Sequence, residues 1–229
     1  MKSFGLTILC LLFLIDASGQ VGEVVKISFR TVYGNKAIIL NDSSYMHEID
    51  NLIKFESLKF YISNINFYQN ESITYSEKYS FHLIDISDTS SQIILLNLPN
   101  GLDFDKIRFN LGIDSTTNVA GAMGGDLDPT KGMYWTWKSG YINFKMEGSC
   151  SQCPSSNRDF ELHLGGYQYP FYALQQIELE THTKRNLNLC LDMKKFFSKI
   201  DLKKQKSIMS PSREAVSISD QLAKCFRIE

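Results

Sequence analysis

The chain reads as all-β, an antiparallel β-sandwich with a short C-terminal helical segment, on three observations. Apolar and polar residues alternate in many short runs, the mark of strands buried on one face. Turn-forming Asn, Asp, Gly, Pro and Ser separate these runs. Only towards the C-terminus does the apolar spacing change to three or four residues, the helical period. Two antiparallel sheets packed face to face would bury all the alternating faces together.

Taken in order, residues 1 to 19 read as a secretion signal: Lys2 in a basic start, the apolar run FGLTILCLLFLI, then Ala17, Ser18 and Gly19 as small residues at a cleavage site. The run is shorter than the about 20 residues a membrane span needs, so release into the periplasm or outside the cell is expected, with no membrane span. Residues 20 to 229 read as one domain. Its first strand is VVKISF, with Val25, Ile27 and Phe29 on one face. In KFYISNINFY the apolar phase changes between Ile62 and Ile65, which predicts a bulge near Ser63 and Asn64. SFHLIDI, QIILLNL, KIRFNLGI, YINFKME, FELHL, QIELE and LNLCLDM continue the series. The stretch from Asp114 to Lys131 has no strand pattern and reads as a long loop, a feature that is functional or disordered in compact domains. DMKKFFSKI reads as a short helix. In SPSREAVSISDQLAKCF, Ser210 is the expected N-cap and Pro211 the first helical residue, with Ala215, Ile218, Leu222 and Phe226 on one face.

The net charge of -1 excludes the electrostatic footprint of a nucleic-acid binder. Removing residues 1 to 19 deletes one cation, Lys2, and one anion, Asp16, and leaves that charge unchanged. Cys150, Cys153, Cys190 and Cys225 remain, and an oxidising compartment permits disulfides among them. Four cysteines allow three pairings. Cys150 and Cys153, in CSQC, lack the helix of a redox motif and the second pair of a zinc site, so a disulfide within the loop, or from it to Cys190 or Cys225, is expected. Asp126 and Asp128 lack the acidic ladder of a calcium loop and read as turn caps beside Pro129. No nucleophile elbow, zinc-protease helix or phosphate loop is present, and no enzyme is expected.

The most distinctive stretch is GGDLDPTKGMYWTWKSGYINFKMEG, which contains both tryptophans of the chain. Alternation places Met133, Trp135 and Trp137 on one strand face, where aromatics of a sandwich serve as core. In FELHLGG, Phe160, Leu162 and Leu164 share one face and His163 the other. Together with LKFYISNINF, FHLID and SIMSPSREAV, these segments make the chain resemble the MbnP-like family, secreted copper-binding proteins named for one encoded beside methanobactin genes.

That resemblance implies a β-sandwich that binds copper through histidine. In some members a tryptophan is oxidised to kynurenine by a dihaem cytochrome c peroxidase-like (MbnH-type) partner. It therefore points to Trp135 or Trp137 as an oxidised residue and to His163 as a copper ligand. Few, mostly neutral ligands suit Cu(I). One departure stands out: no histidine lies between Met133 and Gly148. The second ligand is then sought at His82 first, ahead of His47 and His182, which read as surface histidines, Met133 and the chain's N-terminal amine. An alternative of another class is a non-catalytic interaction or adhesion module, with the glycine-rich loop and Tyr167, Tyr169 and Tyr172 as its binding face.

Overall fold

The structure is a computed structural model describing residues 22–229 apart from 42–43, 49–50, 139 and 184, so the expected leader lies outside the described residues. The first strands are β1 (Glu23–Tyr33), β2 (Lys36–Ala37), β3 (Ser44–Glu48), β4 (Asn51–Gln69), β5 (Ser72–Ser76), β6 (Phe81–Asp85), β7 (Ile93–Leu98) and β8 (Lys106–Leu111). Helix α1 (Ser115–Ala120) and two 3-10 turns (Gly125–Leu127, Pro129–Lys131) lead to β9 (Tyr134–Trp135) and β10 (Gly140–Cys150). β11 (Asp159–Gly165), β12 (Tyr167–Gln168), β13 (Phe171–Tyr172), β14 (Gln175–Glu180) and β15 (Asn186–Asp192) follow, then α2 (Met193–Phe197), β16 (Ser207–Ile208), α3 (Arg213–Ala223) and β17 (Phe226–Ile228).

The smaller sheet runs β17, β15, β1, with β7 and β2 also paired to β1. The larger runs β14, β8, β4, β10, β11, β16, with β3, β5 and β6 also on β4. Most pairs are antiparallel as predicted, but β1 with β15 and β11 with β16 are parallel, so the sheets are mixed. Alternation builds the core between them: Val25, Ile27 and Phe29 of β1 meet Phe60 and Ile62 of β4 and Phe109 of β8. Phe29 contacts Phe60 and Phe109 edge-on, with ring centroids 6.1 and 6.2 Å apart, the preferred geometry for aromatic pairs. The bulge expected near Ser63 and Asn64 is present, with a register shift between Ser63 and Asn66 and Asn64 at φ 52°.

Several expectations are corrected. Residues 114 to 131 are not an irregular loop. The Asp114 carboxylate accepts from Thr117 N at 2.8 Å and caps α1, and Asp128 accepts from Thr130 N at 2.8 Å to cap the second 3-10 turn. This segment lies over the outer face of the larger sheet and closes a second apolar cluster of Tyr61, Leu83, Ile113, Leu127, Met133, Trp135, Tyr141 and Ile142. Tyr61 Oη donates to Asp126 O at 3.0 Å, and Asp126 Oδ2 accepts from Leu83 N of edge strand β6 at 3.0 Å, which pins the segment down. The N-cap of α3 is Ser212, whose Oγ accepts from Ala215 N at 3.0 Å. Ser210 and Pro211 precede it, because Ser212 is extended and satisfies the free amide itself. Ala215, Ile218 and Leu222 are buried as expected, whereas Phe226 belongs to β17 and packs on Phe60 and Phe109. His47, read as a surface histidine, is half-buried in β3, with Tyr33 Oη 3.1 Å from its Nδ1.

Candidate metal centre

Strand β11 positions His163. Phe160, Leu162 and Leu164 face the main core, which turns Glu161, His163 and Gly165 to the outer face. There His163 stands directly opposite Lys145, and Glu161 opposite Glu147 on β10. His163 is only 6% exposed. Its Nε2 is 2.7 Å from Glu147 Oε1, and Lys145 Nζ reaches the same oxygen at 3.1 Å. Burial opposes ionisation of Glu147, yet the hydrogen bonds from His163 and Lys145 outweigh it and hold the carboxyl below its ordinary value. Burial also dominates at His163 and holds its pKa below the ordinary value despite Glu147. The pair is therefore a neutral imidazole beside a carboxylate. A carboxylate only accepts, so Nε2–H is the donor and the ring's lone pair resides on Nδ1. This is how proteins orient a metal-ligating histidine.

Trp135 reaches the same strand face. β9 pairs with the start of β10, Trp135 opposite Gly140, and carries the indole onto β11 at Gly165, two residues from His163 on the same face. A Cβ at Gly165 would stand 2.7 Å from Trp135 Cζ3, so the ring edge rests on bare backbone. Trp135 is 5% exposed, and its Nε1 has no hydrogen-bond partner. Trp137 does not share its strand face. β9 ends at Trp135, and a turn closed by Lys138 N to Trp135 O (3.3 Å) turns Trp137 outward, 65% exposed. The two indoles still meet, with centroids 6.0 Å apart.

His82 is elsewhere. Its register partner is Ile62, an inward residue of β4, whereas His163 and Lys145 align with Lys59, an outward one. The two histidines thus occupy opposite faces, separated by β4 and β10 and about 14 Å across the sheet. His82 Nε2 binds both carboxylate oxygens of Glu77, at 3.0 and 2.9 Å. It lines a cavity of about 440 Å³ with Lys59, Asp85, Asp126 and Lys131. The cations there are already matched, Lys59 to Asp85 at 2.8 Å and Lys131 to Asp126 at 2.6 Å.

Cys150 and Cys153 form a disulfide at the far end of β10, five residues and about 17 Å from Lys145. Cys190 and Cys225 are free and buried, and burial pushes their thiols up to about 12 and about 11. Neither is a thiolate donor near neutrality. Among the described residues, no group of three or more His, Cys, Asp and Glu side chains is disposed to hold a metal ion. Unmodified, this part of the outer face offers the His163 imidazole and, at Gly165 two residues further along β11, the Trp135 indole. Glu147 and Gly165 were missed from sequence. The signal for Glu147 was its outward phase in YINFKME, but its cross-strand partner depends on register.

A family model described as MbnP matches residues 22–210. The solved structure of MbnP from Methylosinus trichosporium is similar to this one, with TM-score 0.59 and 13% sequence identity over 83% of this chain and 81% of that chain. No curated protein matches the sequence. No helix among the described residues is long and apolar enough to cross a membrane.

Proposed function

Because the chain belongs to the MbnP family, we propose that it is a secreted or periplasmic copper-binding protein, not an enzyme, that sequesters or delivers the metal as cargo. The observation behind this reading is the buried His163, its Nε2 2.7 Å from Glu147 Oε1, on the strand face where Trp135 rests at Gly165. His82 faces the other way and is not proposed as the second donor. A neutral imidazole with one further neutral donor suits Cu(I). Oxidation of Trp135 to kynurenine would replace a poor ligand by an aniline and a ketone beside His163. Trp135 fits that role better than Trp137, resting on Gly165 two residues along β11 from His163 with its N–H unpartnered. The modification calls for a haem partner of the dihaem peroxidase class.

Metal analysis of mature protein from its natural source is the first test, followed by mass mapping of the peptide that holds Trp135 and Trp137. About one copper per chain is expected, lost in His163→Ala and retained in His82→Ala. A His163→Ala variant that holds copper like the parent would remove the site.

One observation favours a second reading, an interaction module. The β12–β13 hairpin projects Tyr169, 85% exposed, and Tyr172 into solvent, and aromatics are enriched where proteins meet. Under it, Tyr169→Ala weakens partner capture and leaves copper binding unchanged.

A further inference from the structure

The two tryptophans of the chain form a pair with opposite accessibility. Trp135 is sealed at 5% exposure and Trp137 stands out at 65%, yet their centroids are 6.0 Å apart at an interplanar angle of 48°. A bulky surface oxidant reaches Trp137 and not Trp135. Indoles are among the easiest side chains to oxidise by one electron, and rings this close exchange electrons readily. We infer that Trp137 is the surface port through which Trp135 is oxidised, an electron leaving the buried indole by way of the exposed one. The inference rests on the reading that Trp135 is the oxidised residue, and it adds the route.

The step balances without forming or breaking a bond. An oxidant of the class of a peroxide-charged haem takes one electron from Trp137, and Trp135 returns one electron to Trp137. The net loss is one electron from Trp135, and the oxidant gains it. The Nε1 proton stays on Trp135, where no acceptor faces it.

Two buried tyrosines nearby do not draw the electron vacancy away. Tyr61 and Tyr141 belong to the same apolar cluster, but a tyrosine is readily oxidised only when its phenol proton has a base to go to. Tyr61 Oη donates to Asp126 O at 3.0 Å, and Tyr141 Oη has the carbonyls of Leu127 and Gly121 at 3.2 and 3.3 Å. Backbone carbonyls are poor bases, and burial raises both phenols further. Neither tyrosine competes with Trp135.

The test uses the mature chain without any partner. Photogenerated tris(bipyridine)ruthenium(III), a bulky one-electron oxidant confined to the surface, is applied in aerated buffer, and products are mapped by peptide mass spectrometry. Wild type is expected to give oxidation products at Trp135. Trp137→Phe should lose them, and Trp137→Tyr, which restores an oxidisable ring in contact with solvent bases, should recover them. Circular dichroism checks that both variants keep the fold. Wild-type yield at Trp135 in Trp137→Phe would overturn the inference, as would wild-type oxidation confined to Trp137. Copper and kynurenine content of the natural protein is read separately: their absence alongside intact Trp137-dependent transfer sinks the metal reading and leaves the route standing.

Discussion

At the scale of single residues, His163 couples the fold to pH. Its folded pKa lies below the ordinary imidazole value because burial outweighs the attraction of Glu147. The unfolded chain therefore takes up this proton at higher pH than the folded chain does. The stability so contributed is complete above the ordinary value of 6.5 and is lost as pH falls from there through the folded value. Glu147, also held low, acts in the same direction in more acid solution. Urea midpoints of the wild type should fall between about pH 7 and about pH 5, and those of His163→Gln should fall less. Copper should be retained at pH values where an ordinary histidine is already protonated. Gly165 is the second sensitive residue. Gly165→Ala would place a methyl 2.7 Å from Trp135 and 2.8 Å from Tyr141 O, and overpacking of this kind costs about 1–3 kcal/mol. The variant should lose that much in chemical denaturation and shift its tryptophan emission as Trp135 is pushed from its site. His163 and the outward phase of its strand are legible in FELHLGG, but Gly165 there signals only a turn, and its contact with an indole 30 residues earlier does not.

At the scale of elements, α3 tests how local signals choose a boundary. Ser210-Pro211 and Ser212 both resemble a helix start, and the hydrogen bond from Ala215 N selects Ser212. Ser212→Ala should cost about 1 kcal/mol, the usual value of an N-cap, and Ser210→Ala nearly nothing, as read from urea denaturation. The bulge of β4 was visible beforehand because the apolar phase itself slips between Ile62 and Ile65. The segment 114–131 was opaque for the opposite reason. Its helices are too short for a period to show, and they are held by Asp114, Asp126 and Asp128 accepting from backbone amides. β9 fails differently: two residues of strand and then a turn defeat an alternation that runs on to Trp137.

At the scale of the molecule, the thiol inventory reports whether the two sheets are closed. Cys150 and Cys153 are joined, whereas Cys190 in β15 and Cys225 beside β17 are sealed and held protonated by burial. Material lacking residues 1 to 19 should show no titratable thiol when native and two in denaturant, which a colorimetric thiol assay checks. Replacing Cys150 and Cys153 together by serine should lower unfolding free energy by about 2 kcal/mol, the small entropic effect of so short a loop. Labelling of native Cys190 at the rate of an unfolded peptide would show that the smaller sheet opens.

The sequence by itself determined the strand-rich fold, the buried faces of β1 and β11, the family and the identity of His163 as the outward imidazole of its strand. All of these follow from local period or from contiguous motifs, and backbone geometry makes them legible one segment at a time. Only the tertiary structure decided that Glu147 orients His163, that His82 lies on the opposite face, and that one tryptophan is buried on Gly165 while the other stands in solvent. Those facts depend on strand order and register, which bring residues 16, 28 and 81 positions apart together or keep them apart. A pleated strand shows which way a side chain points, but the side chain it meets is set by how separate strands align.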